Sequence, residues 1–183
     1  MIIRREQPAD HDAVRALHRA AFARDPLTGA VRAPADVPEA RLVDELREDS
    51  GFLRHLSLVA VRDGVLAGHV MATRGWLEPT GAPALGLGPL GVLPAEQRNG
   101  VGSCLVHALL AVAEACDEGL VALLGAPGYY RRFGFRAAAD LGVGAPDPRW
   151  GEHFQARQLT GRPSGGTFRY AEPFSRVGGP AAG

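Results

Sequence analysis

The segment Leu90-Gly91-Val92-Leu93-Pro94-Ala95-Glu96-Gln97-Arg98-Asn99-Gly100-Val101-Gly102-Ser103 decides the fold. The apolar run to Leu93 reads as the end of a strand, the polar stretch through Asn99 as a loop, and the two spaced glycines as the opening of a helix. The first amides of a helix have no partner inside it, and the aligned peptide dipoles leave about half a positive charge at that end. Gly100 and Gly102 let a ligand approach the backbone and relax its torsional limits. Arg98 supplies a cation suited to phosphate. Such a turn is an anion cradle, and its expected ligand is a pyrophosphate. A plain strand-to-helix turn, with glycines kept for packing, is the competing reading.

Two other phosphate motifs fail here. Gly-x-x-x-x-Gly-Lys-Ser/Thr is excluded because the chain has no lysine, and Gly-x-Gly-x-x-Gly is absent from this turn. What remains, Gln97-Arg98-Asn99-Gly100-Val101-Gly102, resembles the pyrophosphate loop Gln/Arg-x-x-Gly-x-Gly/Ala of the GNAT acyl-CoA-dependent N-acetyltransferases. Further on, Leu123-Leu-Gly-Ala-Pro-Gly-Tyr129-Tyr130-Arg-Arg-Phe-Gly134-Phe135 is similar to the end of that family's domain, where a tyrosine on a short helix precedes a Gly-Phe strand start. The two motifs stand in the family's order and at its separation. With Leu58-Val-Ala-Val61, Gly68-His69-Val70 and Leu87-Gly-Pro-Leu-Gly-Val92, the chain resembles an uncharacterised bacterial branch of predicted acetyltransferases from Ile2 to near Phe174, most weakly over Asp25 to Pro38.

The resemblance implies a single GNAT domain over residues 1–176, with acetyl-CoA or a close acyl-CoA as cosubstrate and no metal. It implies that Leu90, Gly91 and Val92 splay from the next parallel strand and bond the pantetheine amides, with Gly91 suited to a bulge. Gln97, Arg98, Asn99, Gly100, Val101, Gly102 and Ser103 would then hold the pyrophosphate. Tyr130, five residues before Phe135, aligns with the family's general-acid tyrosine; Tyr129 or a water is the alternative. Two residues are candidate bases. Glu78 follows the strand carrying His69, near where such families place a carboxylate, and His69 titrates in the useful range. Ordered water serves in many relatives, and a lone histidine inside a strand is more often structural. The implied chemistry is direct attack of a primary amine in a ternary complex. A non-catalytic acyl-CoA sensor, a protein N-acetyltransferase and a structural protein with an empty glycine turn are the other readings.

Around this centre the chain reads as α+β. Ile2 to Arg5 forms a strand, Pro8 to about Arg24 a helix, and Asp25 to Pro38 a loop with three prolines. Glu39 to Glu48 is a second helix with Leu42, Val43 and Leu46 on one face. Leu56–Arg62, Val65–Arg74 and Ala84–Leu93 make an antiparallel meander, its first turn at Asp63-Gly64. The helix Gly100 to Cys116 and the strand Leu120 to Leu124 complete a parallel βαβ unit. A helical turn at Tyr129 to Phe133 and a last pair of strands, His153–Leu159 and Thr167–Tyr170, follow. The expected sheet is mostly antiparallel with six or seven strands, and Val177 to Gly183 reads as a disordered tail.

The 183 residues, 46% hydrophobic and 22% charged, suffice for one domain with a real core. Twenty basic residues, all arginine, balance twenty acidic ones, so no surface is marked for nucleic acid or membrane. Without lysine there is no Schiff-base chemistry. No apolar run approaches the ~18 residues of a membrane span, and no apolar signal follows the charged start, so a cytoplasmic monomer or homodimer is expected. Cys104 and Cys116 lie ~18 Å apart along one helix and cannot pair. Cys104 reads as a small packed residue. The acids Glu39, Asp44, Glu45 and Glu48 read as a solvated helix face. In the segments expected to wall the acceptor site, Arg32, Arg41, Arg47, Arg54, Arg74 and Arg149 interrupt the acids. That mixture points to a small-molecule amine acceptor rather than a basic peptide.

Overall fold

The structure, a computed structural model, describes residues 1–24, 29–33, 37–161 and 165–176. The tail expected beyond Arg176 and parts of the proline-rich loop lie outside the described residues. Strand β1 (Ile2–Arg5) and helices α1 (His11–Ala21) and α2 (Pro38–Glu48) precede three long strands, β2 (Phe52–Arg62), β3 (Val65–Glu78) and β4 (Ala82–Val92). Their first turn follows from its residues. Asp63 and Gly64 both adopt positive φ, 51° and 79°, as a tight two-residue hairpin demands. Strand β3 runs four residues past Arg74 because it gains a second partner there: Trp76, Leu77 and Glu78 pair with Arg169, Phe168 and Thr167.

Helix α3 (Val101–Ala115) carries the chain from β4 to β5 (Leu120–Leu124), and these two strands pair in parallel. Val101, Leu105, Val106, Leu109, Leu110 and Ala113 form the buried stripe of α3. They pack on Leu58, Ala60, Val70 and Ala72 on one face of the sheet. On the opposite face Val14 of α1 and Leu42, Val43 and Leu46 of α2 cover Val59 and Met71. Each such leucine contributes about 1.5–3 kcal/mol by leaving water, so the sheet is held between two apolar layers.

The chain closes with α4 (Pro127–Tyr130) and strands β6 (Arg136–Ala137), β7 (Val143–Gly144), β8 (Phe154–Gln158) and β9 (Gly166–Arg169). The order is β1-β2-β3-β4-β5-β8-β6, with β9 joining β3 to β7 off that path. The described sheet therefore has nine strands where six or seven were expected. The two-residue β6 and β7 are too short to carry an alternating pattern. The last two long strands are not a pair: β8 lies between β5 and β6, whereas β9 lies between β3 and β7. Their kinship is in side chains, since Phe154 and Phe168 meet with ring centres 5.8 Å apart.

Cys104 and Cys116 are both free and exposed. For Cys104 this corrects the packed position expected from its apolar neighbours. Cys104, His107, Ala111 and Glu114 recur at helical spacing on the outer side of α3, and all four are exposed. No described helix is long and apolar enough to cross a membrane.

Candidate active site

Strands β4 and β5 run together for only two residue pairs, Leu85 with Val121 and Gly86 with Ala122. Beyond these they part. Strand β4 stays with β3, placing Leu90, Gly91 and Val92 opposite Val70, His69 and Gly68. Strand β5 stays with β8, placing Leu123 and Leu124 opposite Gln155 and Phe154. The stretch from Leu87 to Val92 thus has no ladder on its β5 side, and backbone groups there need another partner.

The bulge that bends β4 is not at Gly91. The register slips between the pairs Val70–Leu90 and Ala72–Leu87, so Gly88 and Pro89 together oppose Met71. Pro89 explains it: proline has no N–H to give a ladder and is tolerated in sheets at edges or bulges. Gly91 is required for a different reason. A Cβ there would lie 2.8 Å from His18 Nδ1 and 2.9 Å from Leu17 Cδ2, so α1 can approach only a glycine.

At the outer end of the gap, Pro94 to Glu96 make a single 3-10 turn and the chain then reaches Gly100, the N-cap of α3. Arg98 and Gly100 take positive φ, 64° and 82°. Gln97 Nε2 donates to Val92 O at 3.2 Å, tying the loop to the end of β4. The first bond of the helix runs from Cys104 N to Gly100 O, and no side chain caps this end. The amides of Val101, Gly102 and Ser103 are therefore without intrahelical partners. Arg98, Asn99 and Gly100 are exposed, and Arg98 has no ion pair among the described residues. The open amides and the unpaired cation together fit a pyrophosphate.

The facing lip is α4. A Cβ on Gly102 would stand 2.7 Å from Tyr129 Oη, so this tyrosine touches the cradle helix itself. Burial pushes the Tyr129 hydroxyl up, while Ser103 and the Arg132 cation pull it down. Tyr130 lies with its ring on Gly125 and edge-on to Tyr129 and Phe135, at 4.9 Å and 5.8 Å. Burial, helped by Tyr129, drives its hydroxyl far above the ordinary phenol range, so it carries its proton at neutral pH. Tyr170 packs its ring against Gly86, the residue at which the strands separate.

The two candidate bases stand at opposite ends of β3, nine residues and thus ~30 Å apart. Glu78 is exposed and bonded to Arg169 at 2.8 Å, while Arg169 also stacks on Trp76. It lies well away from Gly91. His69 is opposite Gly91 but fully buried, with an imidazole between two partners. Its Nε2 is 3.1 Å from Ser57 Oγ, and its Nδ1 is 2.9 Å from His18 Nε2.

Three residues of this network, Glu6, Ser57 and His18, escaped the sequence reading. Ser57 Oγ donates to Glu6 Oε2 at 2.5 Å, and Arg47 donates to Glu6 Oε1, also at 2.5 Å. Burial alone would raise the Glu6 carboxyl, but His69, Arg47 and Ser57 outweigh it and hold Glu6 well below the usual carboxylate range. Burial lowers both histidines, His18 much the further. His18 stacks on Phe22 at 5.8 Å and is fully buried, yet its Nδ1 has no hydrogen-bond partner. Leaving such an atom unsatisfied costs about 1–3 kcal/mol. The other unpartnered buried polar side-chain atoms among the described residues are Thr73 Oγ1 and Tyr170 Oη. Thr73 is opposite Gly86 and Tyr170 packs on it, so all three orphans adjoin β4. The signal for His18 was its place beside Val14 and Leu17 on the apolar stripe of α1.

Among the described residues no cluster of three His, Cys, Asp or Glu side chains could hold a metal. Three of the four acids of α2 are engaged in ion pairs, Glu39 with Arg32, Asp44 with Arg15 and Arg47, and Glu45 with Arg41 and Arg176, while Glu48 is exposed.

The chain matches the model of the acetyltransferase (GNAT) family over residues 14–135. It is 32% identical over 180 residues to the uncharacterized N-acetyltransferase YhbS of Escherichia coli K12, covering 96% of this chain and 99% of that one. It is 35% identical over 143 residues to the uncharacterized N-acetyltransferase YjhQ of the same strain, covering 74% and 79%. The crystal structure of Escherichia coli YhbS in complex with CoA superposes with a TM-score of 0.83 at 30% identity, over 97% of this chain and 93% of that one. A GNAT family acetyltransferase from Brucella melitensis, in complex with acetyl-CoA, gives 0.75 at 32% identity, over 94% and 97%.

Proposed function

The chain belongs to the acetyltransferase (GNAT) family, and from that premise we propose that it moves an acetyl group from acetyl-CoA to the primary amine of a small molecule by direct attack. The observation that carries this reading is the parting of β4 and β5 after Gly86, with the uncapped start of α3 at one lip and Tyr129 and Tyr130 at the other. A long cosubstrate needs that combination. The amides of Val101, Gly102 and Ser103, with Arg98, suit its pyrophosphate, and the unladdered edge at Leu90, Gly91 and Val92 suits its pantetheine amides. The relatives with bound CoA and acetyl-CoA support this choice.

The thioester supplies an activated acyl group, so no metal is needed. Tyr130 has the role of hydrogen-bond donor to the departing sulfur. Its hydroxyl is held protonated by burial, and it binds a thiolate-like sulfur better than a thioester sulfur, which favours the transition state over the ground state. The acceptor side argues for a small amine. Three of the four α2 acids, Glu39, Asp44 and Glu45, are paired with arginines, so no continuous acidic groove is presented to a basic peptide. The working compartment in this reading is the bacterial cytoplasm.

The test is a measurement of free CoA release from acetyl-CoA over amino acids, polyamines, aminoglycosides and short peptides. Turnover of one small-molecule class is expected. Acetylation of peptides alone would overturn the acceptor, and cofactor binding without any turnover would make the protein a sensor.

A further inference from the structure

The hydrogen-bond directions along the buried chain follow from its ends. Arg47 holds Glu6 ionised, so Glu6 can only accept, and Ser57 Oγ–H donates to it. With that proton engaged, Ser57 Oγ accepts from His69, which places the His69 proton on Nε2. His69 Nδ1 is then a bare lone pair and accepts from His18 Nε2–H. His18 Nδ1 is left with neither proton nor partner, beneath Gly91 on the strand whose far edge is open. All three bonds point the same way, from His18 to Glu6. Two buried imidazoles end-on to an ionised carboxylate, with the free lone pair at the far end, form a base with its counter-charge in place.

We propose that His18 Nδ1 takes the proton of the acceptor amine across water admitted beside Gly91, while His69, Ser57 and Glu6 position it and stabilise the charge. The inference rests on the acyl-transfer reading above. An ammonium gives one proton to His18 Nδ1, and His18 passes its Nε2 proton to His69 Nδ1. His69 becomes an imidazolium whose Nε2–H faces Ser57 Oγ, 3.7 Å from Glu6 Oε2. The free amine bonds to the acyl carbon, the carbon–sulfur bond breaks, and a second nitrogen proton goes to the sulfur through Tyr130. One proton remains on the histidine pair and returns to water as the products leave. Glu6 stays ionised throughout, as the carboxylate does in a Ser-His-Asp triad.

The groups that set the titration come from every side. His69 faces His18 from β3, Glu6 from the residue after β1, and Arg47 from α2, while Asp10 acts on His69 from the turn before α1. Burial and the cation of Arg47 keep His18 neutral and Glu6 opposes them, so the base is ready at neutral pH.

Two measurements on the intact protein test this. Imidazole 15N NMR without any ligand is expected to show both His18 and His69 protonated on Nε2 at neutral pH, and a proton on His18 Nδ1 would overturn the arrangement. In steady-state kinetics His18→Gln is expected to lower kcat by about 100-fold, to remove the acid limb of kcat/KM and to leave acetyl-CoA affinity within about twofold. Ser57→Ala keeps both imidazoles and cuts them from Glu6; it is expected to move that limb to lower pH and to lower kcat by roughly tenfold. It decides the matter if His18→Gln does not fold. Wild-type kcat and an unchanged pH profile in Ser57→Ala or in folded His18→Gln would overturn the relay. If the wild type itself releases no CoA with any amine, the acyl-transfer reading and the catalytic role of His18 fail together, and the NMR result then bears on the tautomers alone.

Discussion

The two sides of β4 are built from different material. On the α3 side the site is backbone: a strand edge without a ladder, the open amides of Val101 to Ser103, and a left-handed Gly100. On the α1 side it is buried side chain: Glu6, Ser57, His69 and His18 in one hydrogen-bonded line. A backbone site depends on glycine at a few adjacent positions and tolerates change elsewhere. A side-chain line depends on burial at every member, and each break leaves a polar group stranded.

The largest effect that separates the two is expected at Gly100. Gly100→Val forces a β-branched residue into left-handed backbone and puts bulk at the helix start, but a Cβ there meets nothing within 4 Å. The fold should survive while acetyl-CoA affinity falls at least ~100-fold, or about 2.7 kcal/mol, by titration calorimetry. Wild-type affinity would show that the cradle is not the binding element. Next comes Tyr130→Phe, which leaves the backbone side untouched: kcat should fall by about 100-fold with affinity unchanged. Gly91→Ala strikes the contact between the two sides, because its Cβ would press on His18 and Leu17. Overpacking of this kind costs about 1–3 kcal/mol, and a melting point lower by several degrees is expected.

Acid should find the side-chain line first. His18 and His69 are held below their ordinary value by burial, so the unfolded chain binds more protons than the folded one as pH drops under ~6.5. Glu6 is also lowered in the fold, so the same sign applies below ~4.5. Stability is expected to fall on acidification from near pH 6.5, by up to about 1.4 kcal/mol per pH unit for each excess proton. Melting curves across pH 4 to 8 check this, and His18→Gln should soften the upper part of the decline. The smallest effect is expected at Glu78. It shares an exposed ion pair with Arg169 far from Gly91, so Glu78→Gln should change stability by less than ~1 kcal/mol and leave kcat alone.

The same contrast explains what could be read before the fold was seen. The cradle and the Tyr129-Tyr130 turn are local, so spacing along the chain carries their geometry. The β-meander was legible from apolar runs and the Asp63-Gly64 turn for a like reason. The line from Glu6 to His18 joins four segments that meet only through the register of β1 to β4, and no window of sequence contains it. His69 drew notice for its titration range, yet the structure places His18 between it and Gly91. The bulge was legible and misplaced: Gly91 drew attention as a glycine, whereas Pro89, which cannot donate to a ladder, marks the slip. The short strands β6 and β7 fall below the length at which alternation has meaning.

Amide hydrogen exchange with and without acetyl-CoA tests the central claim most directly, because the claim concerns the backbone. Slower exchange is expected at Leu87, Gly88, Leu90, Gly91 and Val92 and at Val101, Gly102 and Ser103 when acetyl-CoA is added, with little change in β1 and β2. Unchanged exchange at both segments, or protection confined to another part of the sheet, would contradict a cosubstrate seated between β4 and β5.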